Sequence, residues 1–313
     1  MKQFGVLIIV MSVLLSATAI FAQDLFEIAV SFPGSVEFFS VQKKGMDQAA
    51  EEFGVKLTYG DAEWDAGKQL SQVENFVAKG IDLLLLCTVD NQALIPAVDI
   101  CKEAGVPLMT FTNALGPNPD GQFEGVLSFI GVNEVELGRL LGRMAEKILD
   151  NKDANIVLIE GTPGTPPQRM RTQGFKEIVD AHSNWKIVYS QAIPGWTKEG
   201  SLAAMEAFLQ TGQTVDLVAT HWHAAATAAA TALEEANYEG DVGIIGLEFT
   251  KELIPIIKEG KVDMTTDYSI SESGYKAVET AVKYLKGEQV PSFVEITPII
   301  IDQKNVDEHE PEL

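Results

Sequence analysis

The sequence predicts a doubly wound α/β protein built as two lobes. Three observations carry that prediction. Apolar runs rich in Val, Ile and Leu recur along the chain, helical periodicity fills the intervals, and glycine punctuates the helix ends. Runs that are continuously apolar rather than alternating fit parallel strands covered on both faces. Strands that alternate with helices imply a parallel sheet wound by right-handed crossovers. Of the 313 residues, roughly 290 remain once an amino-terminal leader is set aside, enough for two lobes at ~100–200 residues each.

In chain order, the first strand is Phe26–Val30. The helix Ser40–Phe53 follows, with Val41, Gly45, Met46, Ala49 and Phe53 on one face. Strand Val55–Tyr59 leads to a helix over Leu70–Ala78, whose apolar stripe is Leu70, Val73, Phe76 and Val77. Strand Asp82–Cys87 and helix Gln92–Ala104 come next, then strand Pro107–Phe111. Asp90 and Asn133 stand where helix N-caps belong, and Gly54, Gly80 and Gly105 follow helix ends. The stretch Asn113–Glu124, with Gly116, Pro117, Pro119 and Gly121, is too rich in turn residues for a packed element. Alternation restarts at Leu127–Gly131, which reads as the first crossing between lobes. Strands Asn155–Ile159, Trp185–Tyr189, Leu217–Thr220 and Val242–Leu247 then build the second lobe. The strand Val262–Asp267, the helix Ser273–Leu285 and a strand over Phe293–Ile301 carry the chain back to the first lobe and out again.

The leader is Met1–Ala22. Lys2 begins it, an apolar run spans Val6–Ile20, and small residues close it at Ala17, Ala19 and Ala22. That pattern reads as a cleaved secretory signal, since a membrane span needs ~20 apolar residues. Export places the mature chain outside the cytoplasm. Charge narrows the field further: 45 acidic against 23 basic residues, net −22, repel nucleic acid phosphates and anionic lipid alike. Nucleic acid is therefore excluded as a partner. Cys87 ends a strand and Cys101 lies late in the helix that returns from it, so the two are expected as separate buried thiols rather than a disulfide.

No motif assembles an active site. The chain has no phosphate loop of the Walker type, no Gly-x-Ser-x-Gly elbow and no His-Glu-x-x-His pair. Gly161–Pro167 sits where phosphate loops sit, but Pro163, Pro166 and Pro167 remove backbone donors. His221 and His223 flank Trp222 without further metal ligands nearby in sequence. Neither a metal nor a cofactor is expected. What the strand ends do carry is a recurring mixture of aromatic, amide and charged residues. Ligands of doubly wound sheets lie beyond the carboxyl ends of the strands. Those ends hold Phe38, Phe39, Trp64, Thr112 and Asn113 in the first half, and Arg169, Trp196, Trp222, Glu248, Asp267 and Tyr268 in the second. Flat rings stack on C–H faces while Arg, amide and carboxylate groups pair with hydroxyls, so the set suits a polyhydroxylated ligand.

At these residues the chain resembles the periplasmic sugar-binding proteins of the ribose type, the solute receptors of ABC importers. The resemblance rests on Ile28–Ser31 followed by Phe38-Phe39, Gly80–Leu86 before Asp90, Ala104–Pro107, Gly161-Thr162 with Arg169 and Arg171–Phe175, and Ile245–Glu248. It implies two Rossmann-like lobes joined by three hinges, near Ser128–Gly131, Tyr268–Ile270 and Thr297–Ile299. Residues 23–128 with 269–296 would form the first lobe, and residues 129–268 with 297–313 the second. Phe38 and Phe39 match the family's aromatic pair, Arg169 its sugar-binding arginine and Trp196 its second-lobe aromatic. The chain departs from ribose binders at Val36, Thr112-Asn113, Trp222, Glu248 and Tyr268, where they carry Asn, Asp-Arg, Asn, Asp and Gln. A different sugar, a polyol or a less polar sugar derivative is expected instead of ribose.

The expected role is therefore non-enzymatic: an exported receptor that captures a small carbohydrate or polyol and hands it to an ABC permease in the inner membrane. The alternative is the same fold feeding a chemoreceptor or sensor kinase. A glycoside hydrolase would need two carboxylates ~5–5.5 Å apart, for which Glu248 and Asp267 are the candidates.

Overall fold

The structure is a computed structural model that describes residues 25–313. The expected leader Met1–Ala22 and its cleavage point lie outside the described residues. The first lobe opens with β1 (Glu27–Phe32), α1 (Glu37–Phe53), β2 (Lys56–Asp61), α2 (Ala66–Ala78), β3 (Leu83–Leu86), α3 (Pro96–Ala104), β4 (Leu108–Phe111) and β5 (Phe129–Gly131). The second contains α4 (Glu134–Leu149), β6 (Ala154–Glu160), α5 (Pro166–Val179), β7 (Trp185–Ala192), α6 (Lys198–Leu209), β8 (Leu217–Thr220), α7 (His223–Glu235), β9 (Gly243–Ile245), α8 (Leu253–Lys258) and β10 (Met264–Asp267). The chain then passes through α9 (Ile270–Leu285), β11 (Phe293–Glu295) and β12 (Ile299–Asp302).

These strands form two six-stranded sheets, ordered β11-β5-β4-β3-β1-β2 and β12-β10-β9-β8-β6-β7. All neighbours run parallel except β10 and β12, which pair antiparallel. The continuous apolar character of the strands has a direct cause. Ile28, Val30, Leu83 and Leu85 pack on Met46, Ala49, Ala277 and Val278 of α1 and α9. Their alternates Ala29, Leu84 and Leu86 pack on Val73, Phe76, Ala97 and Val98 of α2 and α3. In the second lobe Ile156 and Leu158 face α4 and α5, while Val157 and Ile159 face α6 and α7. Both faces are covered, so both sets of side chains must be apolar.

Two sequence expectations change. The lobe boundary after residue 128 cuts β5 away from its sheet, yet Thr110 pairs with Phe129 and Phe111 with Ile130. The turn-rich stretch before it is an excursion within the first lobe, and the crossing falls after Gly131. The single strand expected over Phe293–Ile301 is two strands: Phe293–Glu295 pairs with β5, and Ile299–Asp302 pairs with β10 in the other sheet. Thr297 and Pro298 interrupt the apolar run at the change of sheet, and a proline cannot donate to a continuing ladder.

Cys87 and Cys101 are free and buried, on opposite faces of the first sheet. Burial pushes both thiols up, that of Cys101 to about 11. Among the described residues no helix is long and apolar enough to cross a membrane. The final residues span both lobes. The Glu312 carboxylate accepts from the Ser271 N–H at the start of α9, while the Leu313 carbonyl accepts from Lys251 N–H.

Candidate functional site: the cleft between the lobes

The carboxyl ends of both sheets face one cavity of about 260 Å³. That is close to the lower end, roughly 300 Å³, of ligand clefts in general. The first lobe lines it with Val36, Glu37, Phe38 and Phe39 at the start of α1, Trp64 after β2, and Thr112-Asn113 after β4. The second lobe adds Pro167 and Arg171 from α5, Trp196 after β7, Trp222, His223 and Ala224 after β8, Glu248 after β9 and Tyr268 after β10. Nine of the eleven strand-end residues therefore converge: Phe38, Phe39, Trp64, Thr112, Asn113, Trp196, Trp222, Glu248 and Tyr268.

Two do not. Arg169 lies outside the cavity lining, and its guanidinium instead spans the lobes. One Nη2 donates to Asp90 Oδ2 at 3.0 Å, to Asn91 Oδ1 at 2.5 Å and to the Gly164 carbonyl at 2.6 Å. The arginine in the cleft is Arg171. Two helical residues at ~100° each put the two side chains about 200° apart on α5, so only one of them faces inward. Asp267 also stays outside the lining. Its carboxyl is pushed up mainly by burial, with Glu312 adding to the effect and His309 opposing it. Of the two carboxylates considered for glycoside hydrolysis, Glu248 lines the cleft and Asp267 does not. Glu37, Pro167, Arg171, His223 and Ala224 also line the cavity without having been expected there, and Val36 had been marked only as a departure from ribose binders. The position of His223, just after strand β8, was the available signal.

Arg171 is fixed before any ligand arrives. Its Nε donates to Glu134 Oε2 at 2.6 Å, Nη2 to Glu134 Oε1 at 3.2 Å and Nη1 to the His221 carbonyl at 2.6 Å. Burial opposes its charge, but the Glu134 carboxylate outweighs burial and keeps the guanidinium protonated. Both partners are about 5% exposed. A buried bidentate pair of this kind is costly to break, by ~3–5 kcal/mol, because one charge is then left uncompensated.

The aromatic walls are equally constrained. Phe38 and Phe39 meet edge to face at 5.4 Å, Phe39 lies 6.4 Å from Trp64, and Phe38 lies 6.3 Å from Tyr268. Across the cleft Trp196 and Trp222 meet edge to face at 5.1 Å. Trp64 lies on Gly34 and Trp196 on Gly161, where a Cβ would come within 2.3 Å and 2.0 Å of the rings. Four lining residues, Trp64, Thr112, Trp196 and Glu248, have positive φ of 63°, 56°, 55° and 72°. Such backbone is costly for non-glycine residues, above all for β-branched Thr, and tends to cluster at functional sites. Thr112 is held there by Gln42, whose Nε2 donates to its Oγ1 at 2.6 Å and to Ser273 Oγ at 2.8 Å.

Both lobes bring polar side chains to the cavity lining. Glu248 Oε2 lies 3.0 Å from His223 Nδ1. Trp222 is 3% exposed, and its Nε1 has no hydrogen-bond partner within the protein. Asn113 donates its Nδ2 to the Thr88 carbonyl at 2.8 Å. Among the described residues no group of three or more His, Cys, Asp or Glu side chains is placed to hold a metal.

Two doubly wound lobes that close an aromatic, hydrogen-bonding cleft at their strand ends define a clamshell solute receptor. The sequence agrees: residues 28–289 match the model of the periplasmic binding protein domain, and the chain belongs to that family. It is a family of solute-binding proteins rather than enzymes. The ribose import binding protein of Haemophilus influenzae is 29% identical over 283 residues, covering 90% of this chain and 92% of that protein. The ribose import binding protein of Bacillus subtilis is 30% identical over 254 residues, covering 81% and 79%. Among solved structures, an ABC transporter solute binding protein of Bacillus halodurans with bound myo-inositol superposes with a TM-score of 0.83. It is 27% identical and covers 90% of this chain and 96% of that one.

Proposed function

We propose that this protein is the extracytoplasmic receptor of an ABC importer, that it binds a sugar, polyol or sugar derivative other than ribose between its lobes, and that it delivers that solute to a membrane permease. The observation that carries the reading is the convergence of six aromatic rings with Arg171, Asn113, His223 and Glu248 at the carboxyl ends of two facing sheets. Ribose import and inositol binding among the similar proteins support the ligand class. The differences at Val36, Thr112-Asn113 and Trp222 argue against ribose itself, since hydroxyls left unpaired in a buried site lose ~1–3 kcal/mol each. The three crossings between sheets would serve as the hinges, and contacts to both lobes would favour the closed form. Periplasmic residence follows from the same reading, with the leader removed near Ala22.

Three of the chain's four tryptophans line the cleft, so intrinsic fluorescence reports directly on binding. Titration with pentoses, hexoses and inositols should change that signal saturably, with matching heat in calorimetry. No response to any carbohydrate or polyol would overturn the reading. A deletion strain should lose uptake of the bound solute; retained uptake with lost taxis would assign the protein to a chemoreceptor instead.

A further inference from the structure

Both walls of the cleft mix apolar and polar residues, but four apolar surfaces of the first lobe lie together. The first-lobe wall is Val36, Phe38, Phe39 and Trp64, four apolar surfaces in a row. At one end of that wall Thr112 Oγ1 accepts from Gln42 and the amide Nδ2 of Asn113 donates to the Thr88 carbonyl, which leaves the Thr112 O–H and Asn113 Oδ1 as its polar groups. Glu37 is exposed at the mouth. The second lobe sets its polar groups among Pro167, Trp196, Ala224 and Tyr268. It presents the Arg171 guanidinium, the His223–Glu248 pair and the buried, unpartnered Trp222 N–H. A hydroxyl turned toward Val36, Phe38, Phe39 and Trp64 would lose its water and gain no partner, whereas a C–H or methyl edge would pack on the rings.

We propose that the ligand is an amphipathic, monosaccharide-sized ring. Its hydroxyl-bearing edge meets Arg171, Trp222 and Glu248. Its opposite edge, deoxygenated or O-methylated, lies against Val36, Phe38, Phe39 and Trp64. This rests on the carbohydrate reading above and narrows it to deoxy and O-methyl sugars or cyclitols. Val36 and Trp222 become the specificity-determining residues, one by withholding a partner and the other by supplying one.

The test is a calorimetric titration of matched pairs: L-fucose with L-galactose, L-rhamnose with L-mannose, 3-O-methyl-D-glucose with D-glucose, and an O-methylinositol with myo-inositol. At least one deoxy or O-methyl member should bind 10-fold or more tightly than its parent. Val36→Asn should shrink that ratio several-fold by improving the parent. Val36 is the N-cap of α1 in extended backbone (φ −141°, ψ 163°), a position that favours Asn, so the variant is expected to fold. Trp222→Phe should weaken both members of the pair about equally, by roughly 10-fold, through loss of a single donor. Parents that bind as tightly as their deoxy and O-methyl partners would overturn the inference and leave the carbohydrate receptor intact. Failure of every member of every pair, together with the wider panel, would remove both.

Discussion

Around Arg171 several buried groups depend on one another. His221 is fully buried, and its Nδ1 accepts the Gly161 N–H at 3.2 Å, which places the ring proton on Nε2, where it has no partner. Burial first, and the Arg171 charge second, hold the imidazole well below its ordinary value of 6.5. The fold therefore keeps His221 neutral while the unfolded chain takes up a proton near that value. Its contribution to stability is fully present above about pH 6.5 and is lost as pH falls toward the depressed native pKa. The urea midpoint of the wild type should drop between pH 6.5 and 5, with up to about 1.4 kcal/mol per pH unit arising from this residue. In His221→Asn that part of the slope should vanish; an identical slope in the variant would show that the imidazole does not titrate in this way.

The two lobes use the same helical device. On α1, a Cβ at Gly45 would lie 1.8 Å from the Ser271 carbonyl oxygen of α9. On α4, a Cβ at Gly138 would lie 2.2 Å from the Arg171 carbonyl oxygen of α5. The obstructing atoms are backbone, so neither helix can accommodate a methyl without moving apart. That matters for function because α1 carries Phe38 and Phe39, and α5 carries Arg171. Gly138→Ala should cost about 1–3 kcal/mol in chemical denaturation, the range of overpacked cores. It should also weaken ligand binding by displacing the guanidinium. An unchanged midpoint would mean that the helices separate freely. Element identity was largely legible in advance, since parallel strands buried on both faces leave continuous apolar runs. The phase of α5 was not legible. Its start among Pro163, Pro166 and Pro167 gave no register, so Arg169 and Arg171 could not be told apart. The split of Phe293–Ile301 had a signal in Pro298, which disfavours a continuous strand, but the apolar residues on either side do not say which sheet each half joins.

At the scale of the whole molecule, Arg169 makes a polar contact between the two lobes. It joins α5 of the second lobe to Asp90 and Asn91 of the first, at the rim of the cleft. Burial disfavours the Asp90 charge, but the Ala93 and Gln92 N–H donors and the Arg169 guanidinium outweigh it and hold the carboxyl below its ordinary range. The arginine is 42% exposed, so solvent screens the pair to the ~0–1 kcal/mol of a surface bridge. Arg169→Ala should therefore lower ligand affinity only about 2–5-fold, and small-angle scattering should show a more open ensemble. A loss of 100-fold would instead place Arg169 against the ligand.

The sequence by itself determined the winding, the two lobes and the strand-end positions at which a ligand is met. Those follow from local periodicity and from the rule that parallel strands present their carboxyl ends to one side. Long-range packing settles which arginine faces inward, that His223 pairs with Glu248, and that Val36, Phe38, Phe39 and Trp64 form one apolar stretch of the cleft. Each of these depends on how segments far apart in the chain are rotated against one another, and no local pattern encodes that rotation.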